Sequence, residues 1–152
     1  MCGIFGCISP DAANRVLEGL RKLEYRGYDS AGLAAQFPGK NQPMMTERTT
    51  GYVADLVSKA NGRFDGAHIS IGHTRWATHG GVTDLNAHPH SSNDGRITLV
   101  HNGIIENSVE LCERVSKLGY EFSSETDTEV IVHLLDHEIK MQPEPSNHLQ
   151  AF

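Results

Sequence analysis

Met1-Cys2-Gly3-Ile4-Phe5-Gly6-Cys7-Ile8 opens the chain, and Ser9-Pro10-Asp11 ends that run at once. Residues 2–8 are apolar or small and read as a short buried strand stopped by Pro10. The run lacks the positive n-region of a secretory signal. Working outward, Asp11 predicts a helix to about Tyr25, with Val16, Leu17, Leu20 and Leu23 as its apolar stripe and Gly27 as its stop. Ala31–Phe37 reads as a second strand and residues 38–43 as a loop. Tyr52–Ala60 predicts a helix closed by Asn61-Gly62, and Ala67–Thr74 another strand. From Arg75 to Gly95 the chain turns polar, with Gly80-Gly81, Pro89 and three histidines. That is too long for a simple connection, and such loops in compact domains usually carry function. Ile97–His101 then predicts a strand ending at Asn102-Gly103. A helix from Ser108 presents Leu111, Val115 and Leu118 and stops at Gly119. Tyr120–Phe122 looks strand-like, and Thr126–Lys140 predicts a helix with a Thr126–Glu129 capping box. The order is that of a mixed α and β domain.

The chain has 152 residues, enough for one domain with a real core. Its net charge of −6 argues against a nucleic-acid surface, which usually shows a basic stripe. No apolar run approaches the roughly 18 residues of a membrane span. Three cysteines without framework spacing suit a reducing compartment, so a cytoplasmic location is expected. Neither Gly-x-Gly-x-x-Gly nor Gly-Lys-Ser/Thr is present, so no phosphate loop is expected.

Cys2 is the most informative residue. Aminopeptidase removal of Met1 leaves a cysteine with a free α-amine. That amine titrates near about 7.7–8 in model peptides and can act as a general base, beside a thiol that is a strong nucleophile once deprotonated. One residue then supplies both halves of nucleophilic catalysis, although a lone cysteine at position 2 also arises by chance. Cys7 and Cys112 read as small buried hydrophobes. Asn102-Gly103 is the commonest hairpin signal, yet an amide beside a Gly N–H at a strand end also suits an oxyanion hole. Arg75 is either a surface residue or a bidentate carboxylate anchor. Asp127, in the first turn of a helix, either offsets the helix dipole or pairs with an ammonium. An Arg and an Asp aimed at one pocket would read an α-amino acid. His88-Pro89-His90 and His133-x-x-x-His137 have metal-like spacing, but the second lacks the His-Glu-x-x-His form. A non-catalytic ligand- or partner-binding domain, and a metal-binding domain built on the histidine loop, are the competing readings.

Cys2-Gly3-Ile4-Phe5-Gly6 at the extreme N-terminus resembles the class II glutamine amidotransferases. So do Leu23–Gly32 (LEYRGYDSAG), His73–Gly80 (HTRWATHG), Asn86–His90 (NAHPH), Val100–Asn107 (VHNGIIEN) and Ser124–Glu129 (SETDTE). The last five are similar to the branch that feeds ammonia to a sugar-isomerase domain. The likeness covers about residues 1–140. It implies an α+β fold, the four-layer α/β/β/α sandwich of N-terminal nucleophile hydrolase type, truncated here at its C-terminal side. It implies that Cys2 attacks the side-chain amide of L-glutamine, with Asn102 and the Gly103 N–H holding the oxyanion. It implies that Arg75, helped by Thr78 and His79, binds the substrate carboxylate, and that Asp127 with the Gly103 carbonyl holds its ammonium. Trp76 would lie on a closing loop that gates ammonia, with Arg26 and Tyr28 as support near the site. The ammonia would convert fructose 6-phosphate to glucosamine 6-phosphate in the full-length enzyme, a homo-oligomer. No metal or organic cofactor is implied. On this likeness residues 1–152 are an incomplete glutaminase domain whose sugar-isomerase domains lie outside the chain.

Overall fold

The computed structural model describes residues 1–39, 43–77 and 80–142. Gly3–Ile8 forms strand β1, and Ala12–Leu23 forms helix α1, followed by a 3-10 turn at Glu24–Arg26. Strand β2 is Ser30–Gln36, β3 is Met45–Thr50, helix α2 is Val53–Ala60 and β4 is Ile69–Arg75. Short strands β5 (His90–Ser91) and β6 (Thr98–Leu99) follow, then helices α3 (Ser108–Lys117) and α4 (Thr128–Met141). One antiparallel sheet runs in the order β1-β4-β2-β3, and β5 pairs with β6 in a second.

Side chains alternate across a strand, so the register sorts the first sheet into two faces. Phe5, Gly72 and Leu33 share one face, because Phe5 pairs with Gly72 and Gly72 with Leu33. Helices α1 and α2 cover it. Val16 and Leu20 of α1 lie directly over Gly72. They form the main core with Ala13, Leu17, Ala31, Leu33, Ala35, Val53, Leu56 and Phe64. Each of the buried Val and Leu side chains contributes about 1.5–3 kcal/mol.

The other face carries Ile4, His73 and Gly32 in one row. Across it lies the segment leading into β5. A Cβ at Gly32 would stand 2.1 Å from the His88 carbonyl oxygen, so only glycine lets that segment settle there. Arg48 of β3 fastens the same segment by donating to the carbonyls of Leu85 and Ala87, at 3.2 and 3.3 Å. Helix α4 packs on the far side of β5, and α3 on α4. The layers therefore run helix, sheet, sheet, helix.

Several expectations are corrected. Strand β3 was not foreseen; MTERTT is polar because β3 is an edge strand bonded only to β2. Tyr120–Phe122 is not a strand. Asn93 imitates a ladder there, donating to the Glu121 carbonyl and accepting its N–H, at 2.9 and 3.1 Å. Asn102-Gly103 is no hairpin turn, since α3 rather than a strand comes next. The Thr126–Glu129 capping box does not form. Asp127 occupies the N-cap, just before α4 rather than within its first turn. The Glu129 carboxylate instead accepts the N–H and hydroxyl groups of Ser123 and Ser124, at 2.6–2.9 Å. Asp11 precedes α1 without a side-chain cap bond.

Candidate active site

Strand register builds the site. One step beyond the Gly3–Thr74 pair, Cys2 falls opposite Arg75, on the face that also holds Ile4 and His73. The Trp76 N–H donates to Cys2 Sγ at 3.2 Å, and Sγ lies 3.6 Å from the Trp76 carbonyl oxygen. Asn102 arrives from the end of the β6 segment and donates its Nδ2 to the Cys2 carbonyl at 3.2 Å. Gly103 follows, where a Cβ would meet the His101 ring at 2.6 Å.

Arg75 is only 4% exposed. Burial pulls its pKa down, while the neighbouring Cys2, Asp29 and Asp127 pull it up. Its Nη1 donates to the Gly81 carbonyl at 3.0 Å. Asp127, just before α4, accepts the Ile105 N–H at 2.6 Å. Cys2, Arg75, Trp76, Gly103, Thr126 and Asp127 line one open cleft. Trp76 sits edge-on to Tyr28 at 5.3 Å, and Tyr28 stacks on Tyr52 at 6.2 Å. The Arg26 guanidinium lies 3.8 Å from Met1 Sδ, at the outer mouth shared with Asn102 and Ile104. Thr78 and His79 lie outside the described residues.

Three groups that the sequence reading left without a role hold this arrangement. Asn86 and Glu125 grip each other: Asn86 Nδ2 donates to Glu125 Oε2 at 2.9 Å, and the Glu125 N–H to Asn86 Oδ1 at 2.8 Å. Glu125 also accepts the Gly81 N–H at 3.1 Å, so the loop after Trp76 is stitched to the segment before Asp127. Asp29 accepts the Ala77 N–H at 2.8 Å. Both Asn86 and Glu125 lie inside the family-like blocks, which was the available signal.

The histidine-rich segment forms a stack. His73 lies parallel to His88 at 4.2 Å, and His88 edge-on to His90 at 4.6 Å. His90 Nε2 pairs with Thr126 Oγ1 at 2.9 Å. His133 and His137 both pack on Tyr120. Among the described residues, no group of three His, Cys, Asp or Glu is arranged to hold a metal, and no helix is long and apolar enough to cross a membrane.

Burial pushes His73 and His90 down to about 4, and burial with its histidine neighbours pushes His88 down further. The unfolded chain binds protons at these positions near pH 6.5 while the folded chain does not. Their contribution to stability is therefore full above about pH 6.5 and declines as pH falls toward about 4, by several kcal/mol in total. Glu129, held down to about 2 by its hydrogen bonds against the opposing effect of burial, weakens the fold only below its ordinary range near 4.5. Thermal melting should therefore fall steeply between pH 6.5 and 4.5; an unchanged midpoint over that window would refute the neutral histidine stack.

The chain belongs to a family of glutamine amidotransferase domains, whose model matches residues 36–140. It is 50% identical over 142 residues to glutamine–fructose-6-phosphate aminotransferase (isomerizing) of Pyrococcus horikoshii, covering 93% of this chain and 23% of the relative. It is 49% identical over 152 residues to the enzyme of the same name from Xylella fastidiosa, covering 99% of this chain and 24% of the relative. The chain thus spans about a quarter of the length of these curated relatives. Its fold matches glutamine phosphoribosylpyrophosphate amidotransferase from B. subtilis, with a TM-score of 0.74 and 26% identity over 95% of this chain and 30% of that one. The layered α+β architecture is of the N-terminal nucleophile hydrolase type that the family resemblance implies.

Proposed function

We propose that this chain is a glutaminase unit that hydrolyses the side-chain amide of L-glutamine through a thioester on Cys2. The observation that carries the reading is the convergence of Cys2, Arg75, Gly103 and Asp127 on one cleft, with Asn102 bonded to the Cys2 backbone. After loss of Met1, the α-amine takes the thiol proton as sulfur attacks the amide carbon. Asn102 Nδ2 and the Gly103 N–H stabilise the oxyanion, each donor worth about 2.7–4 kcal/mol in comparable sites. The amine returns the proton to nitrogen, ammonia leaves, and water hydrolyses the thioester to glutamate. Arg75 holds the substrate carboxylate with Thr78 and His79, and Asp127 with the Gly103 carbonyl holds the ammonium. Trp76, braced by Tyr28, covers the bound substrate, and Arg26 supports the mouth. No cofactor takes part.

The relatives' name supports a destination for the ammonia: conversion of fructose 6-phosphate to glucosamine 6-phosphate. A sugar-isomerase domain of a full-length, homo-oligomeric and cytoplasmic enzyme would carry that step. The test is glutamate release from L-glutamine by this chain, with mass analysis of Cys2 after exposure to 6-diazo-5-oxo-norleucine. Turnover with labelling confined to Cys2 is expected. A folded chain that neither releases glutamate nor is alkylated would defeat the proposal.

A further inference from the structure

We propose that His73 is a positioning residue for glutamine hydrolysis, holding the Asn102 amide so that its NH2 group faces the nucleophile. This rests on the reading of Asn102 as an oxyanion donor. The Cys2 carbonyl can only accept, so the Asn102 edge facing it at 3.2 Å must be the NH2. Oδ1 then faces His73 Nε2, at 2.8 Å. Two acceptors cannot share that contact, so Nε2 carries the ring proton and donates it. One amide hydrogen is committed to the Cys2 carbonyl, and the second is left for the oxyanion.

The holding group is itself rigid. His73 is 1% exposed and sits on β4, two residues before Arg75, so the strand that places the carboxylate anchor also places the orienting ring. The His88 ring lies parallel to it, with 15° between planes, and blocks rotation. Behind His88, His90 is tied to Thr126, the residue before Asp127. Asn102 is exposed by contrast. Without the His73 bond, its amide would keep one anchor only and sample orientations that turn oxygen toward the developing oxyanion. Buried in this way, the ring stays neutral across the range where the enzyme would work. It therefore acts as a fixed donor and takes no part in proton transfer.

The experiment compares His73→Leu, which fills the space without a donor, with His73→Gln, whose amide can donate in place of Nε2. Both are made in the chain beginning at Cys2, and again with Asn102→Ala. His73→Leu should lower kcat for glutamine about 10- to 100-fold, a part of the full donor's contribution, with KM within about twofold. His73→Gln should recover most of the loss. In the Asn102→Ala background, His73→Leu should change kcat by less than about twofold, because neighbours acting through one group are not additive. Iodoacetamide alkylation of Cys2, which needs no oxyanion hole, should proceed at the parent rate and so reports folding. Failure of Gln to rescue, or an equal loss with and without Asn102, overturns the proposal. Ring nitrogen NMR decides it independently of turnover. A proton on Nε2 of His73, with Asn102 side-chain amide shifts displaced by Leu and restored by Gln, supports it; a proton on Nδ1 overturns it. Should the parent chain release no glutamate, the glutaminase reading fails, and the NMR result alone decides whether His73 orients Asn102.

Discussion

A chain that keeps Met1 should hydrolyse glutamine at less than about one-thousandth of the rate of the chain that begins at Cys2, since loss of one member of a nucleophile–base pair typically costs 10³- to 10⁴-fold or more. Met1 turns the Cys2 nitrogen into an amide, which cannot take a proton from the thiol. Among the described residues lining the cleft, the histidines that could replace it are turned elsewhere. His101 is turned toward Thr128, with Nδ1 3.2 Å from its hydroxyl, and His73 toward Asn102. The Trp76 N–H donates to Cys2 Sγ and cannot accept a proton. Met1 also lines the outer mouth beside Asn102, Gly103 and Arg26, so it obstructs entry as well as removing the base. It is 80% exposed and open to an aminopeptidase. The two forms can be prepared by expression with and without inhibition of methionine removal, told apart by intact mass, and assayed for glutamate. Cys2→Ala should abolish turnover in either form. Comparable rates with and without Met1 would remove the α-amine from the mechanism.

The opening strand and the two helices on the first sheet were legible as elements because local rules govern them, although β1 is a largely exposed edge strand rather than the buried one its apolar run suggests. The stripe of Val16, Leu17 and Leu20 has helical spacing, and Asn61 closes α2 in the left-handed conformation that its side chain tolerates. Strand β3 was not legible, because an edge strand need not be apolar. The histidine segment was recognised as too long for a connection, but its organisation depends on Gly32 and His73, far away in sequence. Periodicity cannot show that His88 will lie on a glycine of another strand. For the same reason, residue chemistry alone left Arg75 and Asp127 open between surface and site. The likeness to a known family supplied roles, and the β1–β4 register supplies the reason that Cys2 and Arg75 meet. His73, Asn86 and Glu125 went unassigned because their importance lies in whom they touch: a ring nitrogen on Asn102, and a reciprocal amide–carboxylate clasp across the loop.

Asp127→Asn should lower kcat/KM for glutamine by about 10²- to 10³-fold, chiefly through KM, because it removes one charge of a desolvated pair while leaving chemistry at Cys2 alone. The substitution is nearly isosteric. An Asn oxygen can still accept the Ile105 N–H, so the segment before α4 should remain in place. Arg75→Lys should produce a similar loss, since an ammonium cannot reproduce the planar two-pronged grip on a carboxylate, and it also disturbs the bond to the Gly81 carbonyl. Truncated substrates separate recognition from folding. Glutaramate lacks the α-amine that Asp127 would hold, and 4-aminobutanamide lacks the carboxylate that Arg75 would hold. The parent chain should prefer glutamine to each by a factor comparable to the corresponding substitution. In Asp127→Asn the preference over glutaramate should collapse to within about tenfold, while the preference over 4-aminobutanamide persists, because distant recognition sites contribute nearly independently. Arg75→Lys should show the reverse pattern. If Asp127→Asn weakened all three substrates by the same factor, Asp127 would be a structural N-terminal group of α4 and the ammonium would be read elsewhere.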